Sequence, residues 1–234
     1  MNDFFSRSEA LLGEKAMEAL REKRVILFGV GGVGSWCAEA LIRTGLMHLT
    51  LVDDDVVQES NVNRQLPATR QTIGRPKVEV LRERLLSINP EADIVAVQQR
   101  YTPDSSFDFQ LSNYHYIIDA IDSVADKTDL ILNASRVRGA KVFSSMGAAL
   151  RFDPTQVRIA ELFDVKGDAL AKAVRARMKK LDLKPYKKVK CVYSTEQTGQ
   201  WTKDKGQKTK GSLMQVTAVF GCTLASMVVK EVMA

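Results

Sequence analysis

The sequence has few residues that could cross-link the chain or bind a transition metal. Its 234 residues include three cysteines, which are isolated from one another and form no CxxC pair. A four-cysteine zinc site is therefore excluded, and free thiols of this kind are typical of a reducing cytoplasm. Only two histidines occur, His48 and His115, and each lies at the start of an apolar, strand-like run. Neither is a convincing general base.

The sequence also lacks the usual signals for entry into a membrane. The first residues, MNDFFSRSEA, contain neither a basic region nor an apolar run, so we expect no secretory signal. The uncharged segment 212–229 is a poor candidate for a membrane span, because four polar residues interrupt it: Gln215, Thr217, Thr223 and Ser226. A buried terminal helix is favoured. Small residues recur in it at helical spacing and predict close packing on another backbone: Ala218, Cys222, Ala225 and Val229. We expect a cytoplasmic protein without stable membrane insertion.

The sequence does contain the alternation of strands and helices that is typical of an α/β fold. Its composition, 45% hydrophobic and 26% charged, is that of a soluble globular protein. Over residues 24–146, short apolar runs alternate with helical segments, which predicts a doubly wound, mostly parallel sheet with right-handed crossovers. Residues 1–23 are predicted to be a helical segment, with one amphipathic helix over 8–23. Residues 147–234 are predicted to form a C-terminal extension of mixed strands and helices.

A glycine-rich turn follows the first predicted strand. Gly29, Gly31 and Gly34 in FGVGGVGS satisfy GxGxxG between a strand and a helix, and Gly32 lies among them. Glycine allows a tight turn and lets backbone N–H groups and a helix N-terminus approach a phosphate. The turn therefore predicts a Rossmann-like nucleotide-binding domain. The nucleotide stays open at this point, because Asp53 at the end of the second strand would suit the ribose of NAD or of ATP.

The segment after the second strand, VDDDVVQESNVNRQ, separates these candidates. Together with the glycine turn, GRPK and IDAIDS, it resembles the superfamily of ubiquitin-activating-enzyme-like adenylating proteins. The resemblance implies that Asp53 holds the ribose of ATP. It also implies that three residues hold the triphosphate: Asn61, Arg64 and Lys77. Such cationic groups suit a charged phosphate, whereas a hydride-transfer enzyme has little use for them. Asp55 is counted with the nucleotide-binding residues, although it and Asp54 are equally well interpreted as a solvated or capping pair.

The same resemblance implies two further roles. Asp122, the second aspartate of IDAID, would lie near the triphosphate and bind Mg²⁺, a cation that prefers carboxylate and phosphate oxygens. With Arg64 and Lys77 it completes the predicted catalytic set. Arg7, in FSRSEALLG, would reach the ATP site of a partner subunit. This role implies a homodimer in which residues 1–23 make a dimer contact.

Motifs along nearly the whole chain resemble one branch of this superfamily, the tRNA threonylcarbamoyladenosine dehydratases. They are RTGLMHLTLVD, NVNRQL, YIIDAIDSVADK, DPTQVRIAEL and KCVYSTEQ. The resemblance implies that ATP activates the carboxylate of threonylcarbamoyl-adenosine beside the tRNA anticodon, after which a ring closes with loss of water. Some members have a cysteine just before the terminal helix, where this chain reads KGSLMQVTAVFG. Cys191 is the other candidate nucleophile, but buried thiols are favoured for both Cys191 and Cys222.

Positive charge is concentrated in one part of the chain. Residues 166–210 contain fourteen Lys or Arg and four Asp or Glu, a net charge of +10 in a chain whose total is +6. This asymmetry predicts a tRNA-binding surface. The densest lysines are expected to contact phosphates: Lys179, Lys180, Lys187 and Lys188. Three aromatic residues could stack on exposed bases: Tyr186, Tyr193 and Trp201. The alternative is a solvated lysine-rich face with its aromatic residues in the core.

Three other functions stay open. The first is ATP-dependent activation of a ubiquitin-like or sulfur-carrier protein, although many such activators have two CxxC pairs that this chain lacks. The second is an NAD-dependent oxidoreductase. The third is a non-catalytic module that binds tRNA or protein and retains the fold. Whether a sulfur-relay partner takes part is likewise open.

Overall fold

The computed structural model describes residues 3–197 and 211–234, and within these ranges seven strands form one sheet. The strands are β1 Arg24–Phe28, β2 His48–Val52, β3 Asp93–Val97, β4 Tyr116–Asp119, β5 Lys141–Ser145, β6 Val157–Glu161 and β7 Lys190–Ser194. The helices are α1 Ser6–Leu12, α2 Glu14–Arg21, α3 Gly34–Thr44, α4 Lys77–Ile88, α5 Val124–Arg136, α6 Ala169–Lys180 and α7 Met214–Met233. The predicted α/β fold is confirmed.

The strand order is β3-β2-β1-β4-β5-β7-β6, and neighbouring strands are parallel except β6 with β7. Side chains alternate along β1 between two cores. Val25 and Leu27 pack with α3, α4 and α7, whereas Ile26 and Phe28 pack with α5 and α6. Since the strand order reverses between β1 and β4, the connections at their carboxyl ends diverge and leave a crevice where ligands bind in such folds.

Residues 147–234 add β6 and β7 to the same sheet and place α7 along α3. The predicted close packing of α7 occurs through Gly221, where a Cβ would lie 2.4 Å from the carbonyl oxygen of Val33. The expectation that Cys222 is buried is wrong, since it is exposed. Among the described residues, α7 is a helix with the length and hydropathy to cross a membrane, yet 44% of its apolar window is buried inside the protein.

The helix predicted over 8–23 is interrupted. Gly13 has φ +82 and separates α1 from α2. A residue in this conformation cannot continue a right-handed helix. Met17 and Leu20 of α2 are buried, whereas Leu11 of α1 is 81% exposed. The apolar stripe expected along one helix is therefore divided between a packed helix and an exposed one.

Candidate active site

A cavity of about 680 Å³ lies at the carboxyl ends of β1, β2, β4 and β5. Its size is that of a site for a small ligand or cofactor, and its place is the switch point of the sheet. All the predicted site residues except Gly34 and Arg7 line it: Gly29, Gly31, Gly32, Asp53, Asp55, Asn61, Arg64, Lys77 and Asp122. The fold thus brings together residues from well-separated segments of the chain.

Two of the glycines are required by packing. Gly29 has φ +84, and a Cβ there would lie 2.7 Å from the carbonyl oxygen of Ala120. At Gly34 a Cβ would lie 1.8 Å from the carbonyl oxygen of Gly29, so any side chain would push α3 away from β1. A Cβ at Gly31 would meet only the Gln65 side chain, at an ordinary 3.5 Å. Gly31 therefore forms part of the cavity wall, whereas Gly29 and Gly34 are the residues that make the tight turn possible.

Asp53 is held in one orientation by backbone groups. Its Oδ2 accepts a hydrogen bond from Val30 N–H at 2.7 Å, and its Oδ1 accepts one from Asp55 N–H at 2.9 Å. Burial raises the pKa of Asp53, while the nearby Lys77 ammonium opposes that rise. Each carboxylate oxygen has a further lone pair, so both can still accept from ribose hydroxyls. The acid is oriented before any nucleotide binds.

Arg64 is anchored at one end of its guanidinium group. Its Nη1 donates to the carbonyl oxygen of Ser60 at 2.9 Å and to Asn63 Oδ1 at 2.8 Å. Within the described ranges, its Nε and Nη2 donate to no protein oxygen, so they are available to a phosphate. Asn61 is buried, and its Oδ1 accepts from Gln58 N–H at 3.1 Å. Asn61 thus shapes the turn that presents Arg64 to the cavity.

Lys77 is buried, and its side chain is held in one place. It is 5% exposed at the start of α4, and its Nζ donates to Asp55 Oδ2 at 2.6 Å. The backbone N–H of Lys77 also donates to the carbonyl oxygen of Asp55, at 3.0 Å. Asp55 therefore positions Lys77, which sequence reasoning did not anticipate. An ammonium held in this way offers a fixed positive charge at the cavity wall.

Asp122 is exposed at the cavity, in the turn that follows β4. Arg100, which sequence reasoning missed, also lines the cavity and donates from Nε and Nη2 to Asp126 Oδ2 at 3.0 and 2.7 Å. Its pKa is raised by Asp126, with smaller contributions from Asp54 and Asp122. No such ion pair occupies Asp122 itself in the part of the chain described, so its carboxylate is free to bind a cation.

The three consecutive aspartates do not form a better cation site. Carboxylate oxygens of Asp53, Asp54 and Asp55 lie within 4.8 Å of one another. However, both oxygens of Asp53 accept from backbone N–H groups, and Asp55 is paired with Lys77. Asp122 therefore fits Mg²⁺ better than this cluster does.

A buried charge pair lies beneath the cavity. Lys127 is fully buried, and its Nζ donates to Asp119 Oδ2 at 2.6 Å and to the carbonyl oxygen of Ser145 at 2.9 Å. Asp119 Oδ1 accepts from Ile121 N–H at 3.0 Å, in the turn that leads to Asp122. This network joins the carboxyl ends of β4 and β5. Sequence reasoning missed this pair, although its aspartate and lysine stand eight residues apart in YIIDAIDSVADK.

Comparison with known proteins agrees with this geometry. The profile of the ThiF family matches residues 5–234. The chain belongs to the ThiF family. The tRNA threonylcarbamoyladenosine dehydratase of Bacillus subtilis is 40% identical over 192 residues, which are 82% of this chain and 74% of that protein. The dehydratase of Escherichia coli is 36% identical over 251 aligned positions, covering 98% of this chain and 93% of that protein.

Solved structures give the same result for the whole chain. The crystal structure of the E. coli dehydratase TcdA in complex with ATP has a TM-score of 0.90 and 36% identity, and it covers 99% of this chain and 94% of that chain. By contrast, the molybdopterin-synthase adenylyltransferase of E. coli, at 36% identity, covers 58% of this chain. The predicted membership in the adenylating superfamily and its dehydratase branch is confirmed.

The thiols of this ThiF-family chain are poorly suited to nucleophilic chemistry. Cys191 in β7 is fully buried, and burial raises the pKa of its thiol to about 12. Burial also raises the pKa of the Cys37 thiol, and partial desolvation raises that of Cys222 although this residue is exposed at the surface. Since the thiolate is the reactive form, the two buried thiols, Cys37 and Cys191, are unreactive at neutral pH. Within the described ranges, none of the three lines the cavity.

We expect Cys191→Ser to keep turnover within about twofold of wild type, because a protonated buried thiol contributes nothing to the chemistry. The substitution should lower stability by about 1–2 kcal/mol, since a buried hydroxyl is costlier than a thiol. Cys222→Ser, at an exposed position, is the matched control and should change neither quantity. Thermal unfolding and single-turnover assays measure both. A folded Cys191→Ser protein that binds ATP but performs no chemistry would reveal a covalent thiol intermediate.

The structure distinguishes among the lysines that were expected to contact tRNA. Lys179 and Lys180 are exposed at the end of α6. Lys187 Nζ instead donates to the carbonyl oxygens of Val137, at 2.8 Å, and Ala140, and burial lowers its pKa. Lys187 is therefore not free to contact a phosphate, and that expectation is wrong. Lys188 pairs with Glu161 at 2.7 Å, an ion pair that raises the lysine pKa.

The aromatic residues of the basic segment differ in the same way. Tyr186 is 85% exposed, whereas Tyr193 is half-buried in β7. Trp201 lies outside the described residues. α6 begins beside the cavity and spans 12 residues, so its basic end lies about 18 Å away from the helix start. The basic end of α6 is thus separated from the cavity by the length of the helix.

Proposed function

We propose that this protein is an ATP-dependent tRNA-modifying enzyme that adenylates the carboxylate of threonylcarbamoyl-adenosine and cyclises it with loss of water. One observation carries the proposal. An oriented aspartate, a glycine turn, an anchored arginine and an anchored lysine converge on one cavity at the switch point of the sheet. They do so in a chain that resembles tRNA threonylcarbamoyladenosine dehydratases along nearly its full length.

Each residue has a physical task in this reaction. Asp53 accepts hydrogen bonds from the ribose, and the turn after β1 brings backbone N–H groups close to the phosphates. Arg64 and Lys77 bind phosphate oxygens and stabilise the negative charge that grows as the substrate carboxylate attacks the α-phosphorus. ATP supplies the adenylyl group that turns a poor leaving oxygen into AMP. Ring closure then needs proximity within the modified base and no protein nucleophile, in agreement with the protonated thiols.

Asp122 is the residue proposed to hold Mg²⁺, together with phosphate oxygens. Its carboxylate is exposed at the cavity and lies one strand along the sheet from the glycine turn. A carboxylate and phosphates are the ligand set that Mg²⁺ prefers. The cation would neutralise part of the charge on the pyrophosphate as it leaves.

We also propose a function for each segment of the chain. Residues 24–146 bind ATP, residues 147–234 carry the surface for the tRNA anticodon region, and residues 1–23 contact a partner subunit in a cytoplasmic homodimer. Arg7 is exposed on α1 and does not line the cavity of its own chain. The neighbouring Leu11 is 81% exposed on the same short helix. Both facts suit a segment that acts on a second copy.

Arg7→Ala should lower turnover by about tenfold or more, because it removes a charge-assisted phosphate contact. Mixing this variant with Arg64→Ala should restore about a quarter of wild-type activity, since each mixed dimer has one site with both arginines. Lys15→Ala, at another exposed cation of this segment, is the matched control. If the mixture shows only the summed activity of the two variants, Arg7 does not act in the partner's site.

Mass spectrometry of tRNA nucleosides tests the function itself. Incubation with Mg-ATP should remove one water from threonylcarbamoyl-adenosine, with no change in its absence. The related adenylyltransferases raise a second candidate, activation of a carrier protein. Pyrophosphate exchange that is stimulated by a small carrier protein, and not by tRNA, would favour that candidate and reject the proposal.

A further inference from the structure

Arg151 is a buried guanidinium group on the wall of the cavity, and the assigned chemistry of ATP does not use it. Its side chain is 1% exposed, and it follows β5 in the loop SMGAALR. Among the residues that the structure describes, no acceptor meets its Nε or Nη1. Its Nη2 lies 3.4 Å from the carbonyl oxygen of Gly167 and 3.5 Å from Asp168 Oδ2. Both contacts are at the long limit of a hydrogen bond.

Asp168 balances the charge of Arg151 without satisfying its donors. Asp168 Oδ1 accepts from Ala171 N–H at 2.8 Å and caps α6, and its Oδ2 accepts from Gly147 N–H at 3.1 Å. The carboxylate is thus committed to holding the loop and the helix. Burying unpaired donors of a charged group is costly, so such donors are normally satisfied by a partner. The forks of a guanidinium group that can bind two oxygens of one anion are Nε with Nη2 and Nη1 with Nη2, so an anion would use one of the unpartnered donors together with Nη2, whose present contacts are long.

The backbone on both sides of Arg151 is fixed. Leu150 N–H donates to the carbonyl oxygen of Gly211 at 2.9 Å. Phe152 N–H and Asp153 N–H both donate to Glu196 Oε2, at 2.9 Å in each case. The guanidinium group is therefore placed in advance, and an anion that it binds pays little ordering cost.

The position of Arg151 along the sheet indicates which anion it meets. The cavity residues follow the strands in spatial order: Asp53 after β2, the glycine turn after β1, Asp122 after β4 and Arg151 after β5. With ATP bound as proposed, the ribose would lie at the β2 end and the phosphates near β1 and β4. Arg151 lies in the loop after β5, the next strand along the sheet beyond β4. We infer that Arg151 binds the carboxylate of the substrate and holds it for attack on the α-phosphate. This assignment rests on the proposed function.

The test compares two RNA probes for binding. Both are anticodon stem-loops with threonylcarbamoyl-adenosine, and in one the side-chain carboxylate is replaced by a carboxamide. The wild type, measured without ATP, should prefer the carboxylate probe by about tenfold or more, and Arg151→Gln should reduce this preference to about twofold or less. ATP affinity should be unchanged. A wild type without the preference, or an Arg151→Gln protein that keeps it, overturns the inference.

Arg151→Gln leaves Asp168 without a counter-charge and could therefore misfold. Arg151→Lys, which keeps the positive charge, is the control for such a folding defect. The lysine variant keeps the charge but loses the planar fork, so its preference should fall between those of wild type and Arg151→Gln. If it keeps the full preference, the bidentate role is rejected. Arg158→Gln, at an exposed position on β6, is the matched control and should bind both probes as wild type does.

The outcome for Arg151 is separable from the outcome for the proposed function. If the wild type with Mg-ATP removes no water from the carboxylate probe, the function fails whatever the binding results are. If water is lost and Arg151→Gln still prefers the carboxylate, only the role of Arg151 fails.

Discussion

Arg64→Ala is expected to lower the rate of tRNA dehydration by about a hundredfold or more, because one preorganised contact to developing charge contributes about 3–4 kcal/mol. The free Nε and Nη2 of Arg64 are the donors that would be lost. Its Nη1 also ties Ser60 to Asn63, so a small loss of thermal stability should accompany the kinetic effect. Single-turnover rates and a melting curve separate the two.

The controls for this prediction lie in the same part of the chain. Arg70 is exposed six residues further on and does not line the cavity, so Arg70→Ala should leave the rate unchanged. Asp122→Ala should also cost about a hundredfold or more, yet with unchanged stability, because its exposed carboxylate serves only the ligand. Asp104→Ala is its matched control. Wild-type turnover in folded Arg64→Ala would rule out the adenylation mechanism.

Local signals in the sequence were sufficient to predict several residues that line the cavity. Gly29, Asp53 and Asp122 each lie just after a strand, and the carboxyl ends of parallel strands meet at one edge. Once the strands were recognised, the meeting of these residues followed. Arg64 is farther from a strand end, and only its resemblance to a known motif placed it there.

Pairings between distant segments could not be predicted in this way. The Lys77–Asp55 and Lys127–Asp119 ion pairs depend on how α4 and α5 dock against the sheet. Arg151 is a more extreme case, because nothing in GAALRF distinguishes a buried arginine from an exposed one. Its role became visible only through its burial and its unpaired donors.

The packed face of α7 was also beyond sequence reasoning. A helix that is apolar on nearly all sides has no periodic contrast to show which side is buried. The recurring residues suggested the face with Ala218, Cys222, Ala225 and Val229, and of these only Ala225 is buried. The closest contact with α3 is at Gly221, where any Cβ would clash. The remaining apolar surface of α7 is half-exposed in this chain.

Charge reversal in the basic segment is the second substitution from which we expect a large effect, here on tRNA affinity. The structure shows which lysines of this segment should be changed. Lys187 is bonded to backbone carbonyls and Lys188 to Glu161, so both are poor probes of RNA contact. Three other lysines are exposed on α6 and in the loop after it: Lys179, Lys180 and Lys184. Within the described ranges none of the three forms an ion pair, which leaves their charges available to phosphates.

Changing these three lysines to glutamate should weaken tRNA binding steeply and lower the salt slope of log affinity by about 2, since each phosphate contact on single-stranded RNA contributes roughly 0.7. ATP affinity should be unchanged, because Arg64 and Lys77 line the cavity, which meets the start of α6 and not its basic end. The control is a second triple substitution by glutamate, at exposed Lys15, Arg70 and Lys230, which changes the net charge equally. Tyr186→Ala should reduce affinity without altering the slope. If both triple variants lose affinity to the same extent, the effect is one of total charge and residues 179–184 are not an RNA contact. If only the first does, phosphates bind where α6 ends, and the base that is modified must reach the cavity from there.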